Sequence, residues 1–452
     1  MKTLIEKYNV PAPRYTSYPT VPYWDSVLFS PDRWERIVKN TFQCSNSNEG
    51  ISLYIHLPFC ESLCTYCGCN TRITVNHQVE IPYLTAVLKE WAMYLKLFGE
   101  PPRVKEIHLG GGTPTFFSPE NLLKLMKGIL DTVILCPEAA LSFEGHPNNT
   151  TFEHLRVLYT VGFRRISLGI QDFDPDVQHI IHRIQSYESV KRTTEEARAI
   201  GYTSVNYDLI YGLPLQTQQS MSETITKVIE LRPDRIAFYS YAHVPWVKPG
   251  QRKFTEADLP SGEGKRLLYE MGRHAFEDAG YLEIGMDHFS LPDDELALAQ
   301  KEKKLHRNFM GYTTSHTQLL IGLGVSSISD AWKGFVQNEK KLEDYYKRIA
   351  KREFPSFKGH ELSAEDLIIR KHILNLMCKH ETSWNDVEMQ CPALYEGLER
   401  LIEMASDGLI VKEEFSLYVT PKGNAFLRNV CMALDARLWR DQPQKQLFSS
   451  VA

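Results

Sequence analysis

The chain has 452 residues and a formal net charge of −5 at neutral pH, enough length for two or three structural units around one large core. Lysine and arginine are well mixed with the acids, so nucleic acid is not expected as the main partner. No apolar run approaches the ~20 residues of a membrane span. Met1 to Lys7 shows neither the apolar core nor the cleavage site of a secretory signal, so the expected compartment is a reducing cytoplasm.

Residues 1–50 open with a short amphipathic stretch. Val10-Pro-Ala-Pro-Arg-Tyr-Thr-Ser-Tyr-Pro-Thr20 follows, and its prolines impose an extended, non-helical path. This arm either packs on the body or acts as a lid carrying Arg14, Tyr15 and Tyr18 towards an anionic substrate. Arginine suits that role because its planar fork pairs with carboxylates. A helix is expected over 31–43, with Pro31 in its first turn.

From residue 51, apolar β-branched runs alternate with helical periods, the pattern of βα units and a parallel sheet. Strands are expected at 51–57, 104–109, 140–144, 164–170, 204–210 and 234–241. Ser118-Pro-Glu reads as a helix start, and Thr150-Thr-Phe-Glu153 as a capping box. Gly162 and Gly201 read as helix ends. Six such units predict a partial, open version of the (β/α)8 barrel, where chemistry gathers at the C-terminal strand ends.

The first strand runs into Cys60-Glu-Ser-Leu-Cys64-Thr-Tyr-Cys67-Gly-Cys69. A zinc knuckle would use two separated pairs, and Cys67-Gly-Cys69 is too tight for one. A disulfide framework does not suit a chain this long without a secretory signal. Three thiolates in C-x3-C-x2-C spacing give a cubane iron–sulfur cluster three ligands and leave one iron open. Cys44, Cys136, Cys378, Cys391 and Cys431 are scattered and read as small, mostly buried residues.

The later strand ends carry polar groups. Leu109-Gly-Gly-Gly-Thr-Pro-Thr115 lets a ligand's charged end approach backbone N–H groups. Glu144 ends the third strand, and Gln171, followed by Arg183, the fourth. Asp208 lies on the fifth, and Ala242-His243 follows the sixth. A structural ion pair between Arg183 and Asp208 is the alternative to a ligand role for both. Tyr281 to Phe289 is expected as a further strand, and Leu319 to Ile328 as a buried, glycine-broken run. Beyond about 356, helices at 363–379 and 393–407, a hairpin at 409–421 and a last helix at 422–439 resemble a winged-helix module. Its second helix is acidic, with Glu399, Glu403 and Asp407, so a packing domain is expected rather than a DNA-binding one. The units expected are thus 1–50, 51–355 and 356–452.

The cysteine spacing resembles the radical S-adenosylmethionine superfamily. Pro13-Arg-Tyr-Thr-Ser-Tyr-Pro19, Gly110-Gly-Gly-Thr-Pro114, Gly169-Ile-Gln-Asp-Phe173, Asp208-Leu-Ile-Tyr-Gly-Leu-Pro214, Gly285-Met-Asp-His-Phe289 and His306-Arg-Asn-Phe-Met-Gly-Tyr-Thr-Thr314 extend the resemblance to one of its families. That family is the oxygen-independent coproporphyrinogen III oxidases of haem biosynthesis.

The resemblance implies a 4Fe–4S cluster on Cys60, Cys64 and Cys67, with Cys69 important but not a ligand. It implies two S-adenosylmethionine molecules. Tyr54, Gly111, Glu144 and Ile328 match contacts to the cluster-bound one; Tyr66, Gly112, Thr113, Gln171, Arg183, Asp208 and Ala242 match contacts to the second. The implied reaction turns two propionates of coproporphyrinogen III into vinyl groups through a 5′-deoxyadenosyl radical. The implied partners are the porphyrinogen and a flavodoxin or ferredoxin system, for a monomer. Arg14, Tyr15, His306 and Arg307 are the candidate substrate contacts. The sequence departs from the family at Gly145-His146-Pro147, where an acid commonly precedes the proline. A haem chaperone and an anaerobic haem-opening methyltransferase of the same superfamily are the alternatives.

Overall fold

Six strands recur in chain order: β1 (Ile51–Leu57), β2 (Arg103–Gly111), β3 (Ile134–Gly145), β4 (Arg165–Gln171), β5 (Ser204–Tyr211) and β6 (Arg235–Ser240). Each is hydrogen-bonded in parallel to the next. They form the centre of one twelve-stranded sheet in this computed structural model, which describes residues 3–25, 29–442 and 447–448. All six strand expectations are met, because each run alternates with a period of two. Ile107 and Leu109, Phe143, Ile166 and Leu168, Val205 and Leu209, and Ile236 and Phe238 are buried and pack under the helices. The intervening Glu106, His108, Ser142, Glu144, Ser167, Asn206, Asp208 and Tyr239 line one inner hollow of about 150 Å³.

The sheet does not close into a barrel. Beyond β6, the stretch expected as one strand is a hairpin of β7 (Leu282–Gly285) and β8 (His288–Ser290). Met286 and Asp287 form its turn, Asp287 at φ 65°, and β8 runs antiparallel to β6. A short pair, β9 (His306–Asn308) and β10 (Gly311–Thr313), follows. On the other edge, β11 (Leu320–Leu323) adds a seventh parallel strand beside β1. There β12 (Ile328–Asp330), β13 (Gly334–Asn338) and β14 (Ser356–Glu361) continue the sheet antiparallel. The change of character expected at 356 therefore falls on a strand of the main sheet.

Helix boundaries follow side-chain chemistry. Ser118 caps Pro119–Leu130 through Asn121 N, and Gly201 ends Tyr187–Ile200 at φ 114°. The capping box near 150 is built by Thr151 and His154, not by Thr150 and Glu153. Helix Phe152–Thr160 stops two residues before Gly162. Pro31–Ser45 starts at Pro31 under a Ser30 cap.

The C-terminal region has helices Ala364–Lys379 and Pro392–Arg400, and a three-stranded sheet of Glu381–Ser383, Ser416–Val419 and Ile410–Lys412. The expected helix over 393–407 breaks after Arg400, and the last is divided into Leu427–Leu434 and Ala436–Arg440. The N-terminal arm is bound to this region. Tyr8, Tyr15 and Tyr18 share a core with Ile373, Leu376 and Val430, where each large apolar side chain contributes roughly 1.5–3 kcal/mol. Arg428 Nε donates to Pro13 O at 3.0 Å, and a second guanidinium nitrogen donates to Ala12 O. Asn429 Nδ2 donates to Tyr8 O at 2.9 Å. Asp407, part of the acidic face seen in the sequence, takes Lys7 at 2.5 Å and the Tyr8 hydroxyl at 2.6 Å.

Candidate active site

The cysteine loop leaves β1 through Pro58 and is closed by a two-residue parallel pair, Phe59–Cys60 with Arg72–Ile73. It is pinned from outside by the segment after β4. Thr65 N donates to Ile181 O at 2.9 Å, and Thr65 Oγ1 to Ile180 O at 3.1 Å. The His182 ring donates to Leu63 O at 2.9 Å. These bonds hold the thiols in place without a disulfide; all nine cysteines are free.

Cys60, Cys64, Cys67 and Cys69 line one cavity of about 410 Å³. Tyr66, Gly111, Gly112, Thr113, Glu144, Gln171, Arg183 and Asp208 share its wall. Among the described residues no three His, Cys, Asp or Glu side chains converge as a single ion would require. The cysteines border a hollow instead, and a set of thiols around an open space is donor chemistry that fits an iron–sulfur cluster. Cys67 is pulled down to about 6: the Cys69 thiol and N–H bond to it against the opposing effect of burial, and Lys248 and Arg183 add positive charge. Burial pushes Cys60 up to about 11, opposed by its contact with Thr113 Oγ1 at 3.4 Å. Arg183 Nη1 lies 3.7 Å from Cys64 Sγ.

The glycine turn is shaped by what it must pass. Gly111 sits at φ 119°, and a Cβ there would meet the His56 ring at 2.7 Å. A Cβ on Gly112 would stand 2.6 Å from Pro58 O. Only glycine lets β2 end against the start of the cysteine loop. Gly111 N donates to Glu144 Oε2 at 3.1 Å, and the His108 ring reaches Glu144 Oε1 at 3.5 Å. The surrounding low-polarity wall pushes the Glu144 carboxyl up, but His108 and the Gly111 N–H pull it down further, so it stays below the ordinary value. Its side chain is 43% exposed, open to the cavity.

On the opposite wall, Arg183 Nη2 donates to Gly169 O at 2.6 Å. Asp208 accepts from Ser167 Oγ at 3.0 Å and Asn206 Nδ2 at 2.9 Å. Each is held by its own neighbours rather than by a mutual ion pair. Burial and then the Glu144 charge push Asp208 up to about 6. Gln171 takes a left-handed φ of 66°, and its Oε1 is buried without a partner.

Three sequence candidates lie outside that wall but beside it. Tyr54 stacks on His108 with centroids 6.1 Å apart, and its hydroxyl is 3.0 Å from His56 Nδ1. Gly322 pairs with Tyr54 across β11 and β1, and Ile328 O lies 2.4 Å from where a Gly322 Cβ would be. That register carries Ile328 to the Tyr54 edge. Ala242 O and Tyr66 O both accept from Gln251 Nε2 at 3.2 Å, so one buried amide joins the end of β6 to the cysteine loop. His243 bonds Tyr241 instead, at 3.1 Å. Sequence reading missed Gln251 and His108. Alternation along β2 puts His108 on the inner face, as alternation along β1 puts His56 on the face of Tyr54, but nothing local marks Gln251.

The substrate candidates separate. Tyr15 is 2% exposed and its hydroxyl donates to Asp435 Oδ2 at 3.0 Å; with Tyr18 it belongs to the arm's packing, not to a surface offered to a ligand. Arg14 does reach the rim. Its Nη2 donates to Ser240 O at 2.5 Å, and it lies 3.7 Å from Asp287 and over the Tyr239 ring. Burial lowers His306 to about 3, helped by His316 and Arg370. It is a neutral ring and no cation. Arg307 is buried, with its guanidinium on the Tyr312 ring at 4.4 Å.

The Radical SAM superfamily pattern matches residues 54–228, the span from β1 to the helix after β5. Oxygen-independent coproporphyrinogen III oxidases match almost end to end. That of Salmonella typhimurium strain LT2 is 40% identical over 99% of this chain and 97% of its own. The Escherichia coli K12 protein is 39% identical over the same shares, and the Synechocystis protein 37%. A solved coproporphyrinogen III oxidase from Escherichia coli, a radical SAM enzyme, superposes with a TM-score of 0.88 at 38% identity. It covers 93% of this chain and 97% of its own. With that identity along the whole length, and with the thiol loop and glycine turn facing one cavity, the chain belongs to the oxygen-independent coproporphyrinogen III oxidase family of the radical SAM superfamily.

Proposed function

We propose that the protein removes two propionate carboxyls from coproporphyrinogen III without oxygen and leaves vinyl groups, giving protoporphyrinogen IX. The observation that carries this reading is the single hollow in which four thiols, a glycine turn and three charged side chains meet at the ends of β1–β5. Cys60, Cys64 and Cys67 would hold the 4Fe–4S cluster. Such a cluster, together with S-adenosylmethionine, would supply the radical chemistry needed to take hydrogen from an unreactive C–H bond.

The chain's own residues bind, orient and exclude water. Tyr54, Gly111, Glu144 and Ile328 would hold the first S-adenosylmethionine, the Glu144 carboxylate and the glycine backbone offering partners for its charged groups. Tyr66, Gly112, Thr113, Gln171, Arg183, Asp208 and Ala242 would hold a second, for whose hydroxyls Asp208 is an acceptor. Cys69 bonds the Cys67 thiol and tunes that ligand without joining it. Arg14, carried to the rim by the arm, meets a substrate carboxylate; His306 contributes only as a neutral ring. The arm up to Tyr18 and the helices after the last strand of the main sheet act as one cover over the catalytic body, since the arm is anchored on the C-terminal region. A flavodoxin or ferredoxin supplies electrons to this monomeric, cytoplasmic protein. Among the described residues no helix is long and apolar enough to cross a membrane.

The test is an anaerobic assay of reconstituted protein with coproporphyrinogen III, S-adenosylmethionine and a reductant, products being separated by chromatography. Vinyl product together with 5′-deoxyadenosine is expected. Deoxyadenosine alone would remove this substrate from the reading. Haem binding with neither product would replace it with the chaperone role.

A further inference from the structure

We propose that the Arg307 guanidinium is a carboxylate-binding site inside the open barrel, and that it holds one propionate of the substrate; the second clause rests on the decarboxylase reading above. Arg307 lies on β9 and is 5% exposed. Its Nε and Nη1 are buried with no hydrogen-bond partner. Its guanidinium carbon lies 4.4 Å from the centre of the Tyr312 ring. Leaving a charged donor buried and unpaired is costly, so a fold retains one where a partner arrives from outside.

Other buried arginines show the contrast. Arg370 is held by Asp330 and by Trp332 O, and Arg428 by the carbonyls of Ala12 and Pro13. Arg235, less deeply buried, is held by Asp294 at 2.7 Å, and its Nη2, which makes no hydrogen bond, faces Glu295 at 3.7 Å. Arg307 has no such arrangement. Asp287, in the turn before β8, lies 3.7 Å from Arg14.

The position fits a ligand arm. Tyr239, His288 and Tyr312, whose ionisation senses the Arg307 charge, line the inner hollow of about 150 Å³. Arg307 stands behind the Tyr312 wall of that hollow, paired with Tyr312 across β9 and β10, and the hollow meets the cysteine cavity at Glu144, Ser167 and Asp208. The acids of that hollow are engaged elsewhere: Glu106 accepts from Ser52 and Thr313, Glu144 from Gly111 N, and Asp208 from Ser167 and Asn206. The His288 ring is neutral, lowered to about 3 by burial and by Arg307. Its Nδ1 lies 2.9 Å from Met286 O and its Nε2 3.3 Å from the Tyr239 hydroxyl. Stacking on Tyr312 fixes the plane of the fork, and a planar fork with free N–H groups matches the two oxygens of a carboxylate.

The test uses the full reconstituted chain, its R307M and R307K variants, and two probes. Coproporphyrin III, the oxidised and stable tetracarboxylate, is titrated by fluorescence. Sodium propionate is tested for its effect on thermal unfolding. R307M is expected to bind the porphyrin about ten- to a hundredfold more weakly, the loss of one charged hydrogen-bonded contact, with R307K between it and wild type. R307M is also expected to melt at a higher temperature than wild type, since an unpaired buried charge is gone, and to lose the protection that propionate gives wild type. Wild-type protection by propionate without porphyrin binding would keep the carboxylate site and discard the porphyrin as its ligand. Porphyrin affinity unchanged in R307M, or wild type unprotected by propionate, would overturn the proposal. So would an R307M that melts lower while R307K melts as wild type, because the charge would then serve packing.

Discussion

Gly111 N donates to Glu144 Oε2 at 3.1 Å, joining the end of β2 to the end of β3. The bond uses one carboxylate oxygen and leaves the side chain 43% exposed to the cavity. Glu144 is thus oriented by the same glycine turn that lines the cofactor wall, and the turn can adopt its path only because Gly111 and Gly112 have no Cβ.

Glu144→Gln should keep the Gly111 bond, since an amide oxygen accepts, but remove the charge. S-adenosylmethionine affinity is expected to fall by about ten- to a hundredfold, the 1.5–3 kcal/mol of a hydrogen bond to a charged group. Equilibrium dialysis measures it, and iron and sulfide content should stay at wild-type values. Equal affinity in the two proteins would remove Glu144 from the cofactor site.

Replacing Cys60, Cys64 or Cys67 singly with serine should abolish stable cluster incorporation, read as iron and acid-labile sulfide per chain. Cys136→Ser should leave both unchanged, because Cys136 does not line the cavity. A full cluster in Cys64→Ser would refute the ligand set.

Asp208 gives a pH signature. Burial and Glu144 raise its carboxyl to about 6, against about 3.9 in an unfolded chain. The raised value contributes stability that is fully present below about 4 and is lost as pH rises through about 6. Cofactor binding runs the other way, because the charged form is the better acceptor for ribose hydroxyls. S-adenosylmethionine affinity should weaken as pH falls through about 6 in wild type and be flat across that step in Asp208→Asn. A wild-type profile without the step would refute the role.

The arm should loosen when its anchors are removed. Arg428→Met releases the carbonyls of Ala12 and Pro13, and Tyr15→Phe leaves Asp435 without its 3.0 Å donor. Each leaves a buried polar group unmet, at about 1–3 kcal/mol. Hydrogen exchange across 10–18 should rise in both variants, and kcat/KM should fall as Arg14 loses its seat at the rim. Unchanged exchange would show that the arm is held by packing alone.

The legible parts of the site were those that chemistry places on one short segment or one strand face. Cys60, Cys64 and Cys67 sit within one loop, and Gly111 and Gly112 within one turn. Glu144 and Asp208 fall on the inner side of strands whose other side is apolar. The capping box near 150 was misplaced by one residue, because His154 rather than a glutamate returns the bond to the cap. Gln251 was invisible: a lone glutamine in a polar stretch carries no mark of the two carbonyls it joins. Tyr15 and His306 read as ligand groups because their types suit carboxylates. In the fold one is consumed by Asp435, and the other is held neutral by burial among His316 and Arg370.

By itself the sequence determined the six parallel strands, the thiol loop and the glycine turn. Strand alternation and ligand spacing are properties of neighbouring residues, and burial only reinforces them. Only the tertiary structure decided that the sheet stays open, that the N-terminal arm docks on a region some 400 residues away, and which arginine stands without a partner. Those outcomes depend on which groups water can reach and which distant groups come to share a buried wall. No local pattern encodes that, since pairing and desolvation are settled only when the whole chain has packed.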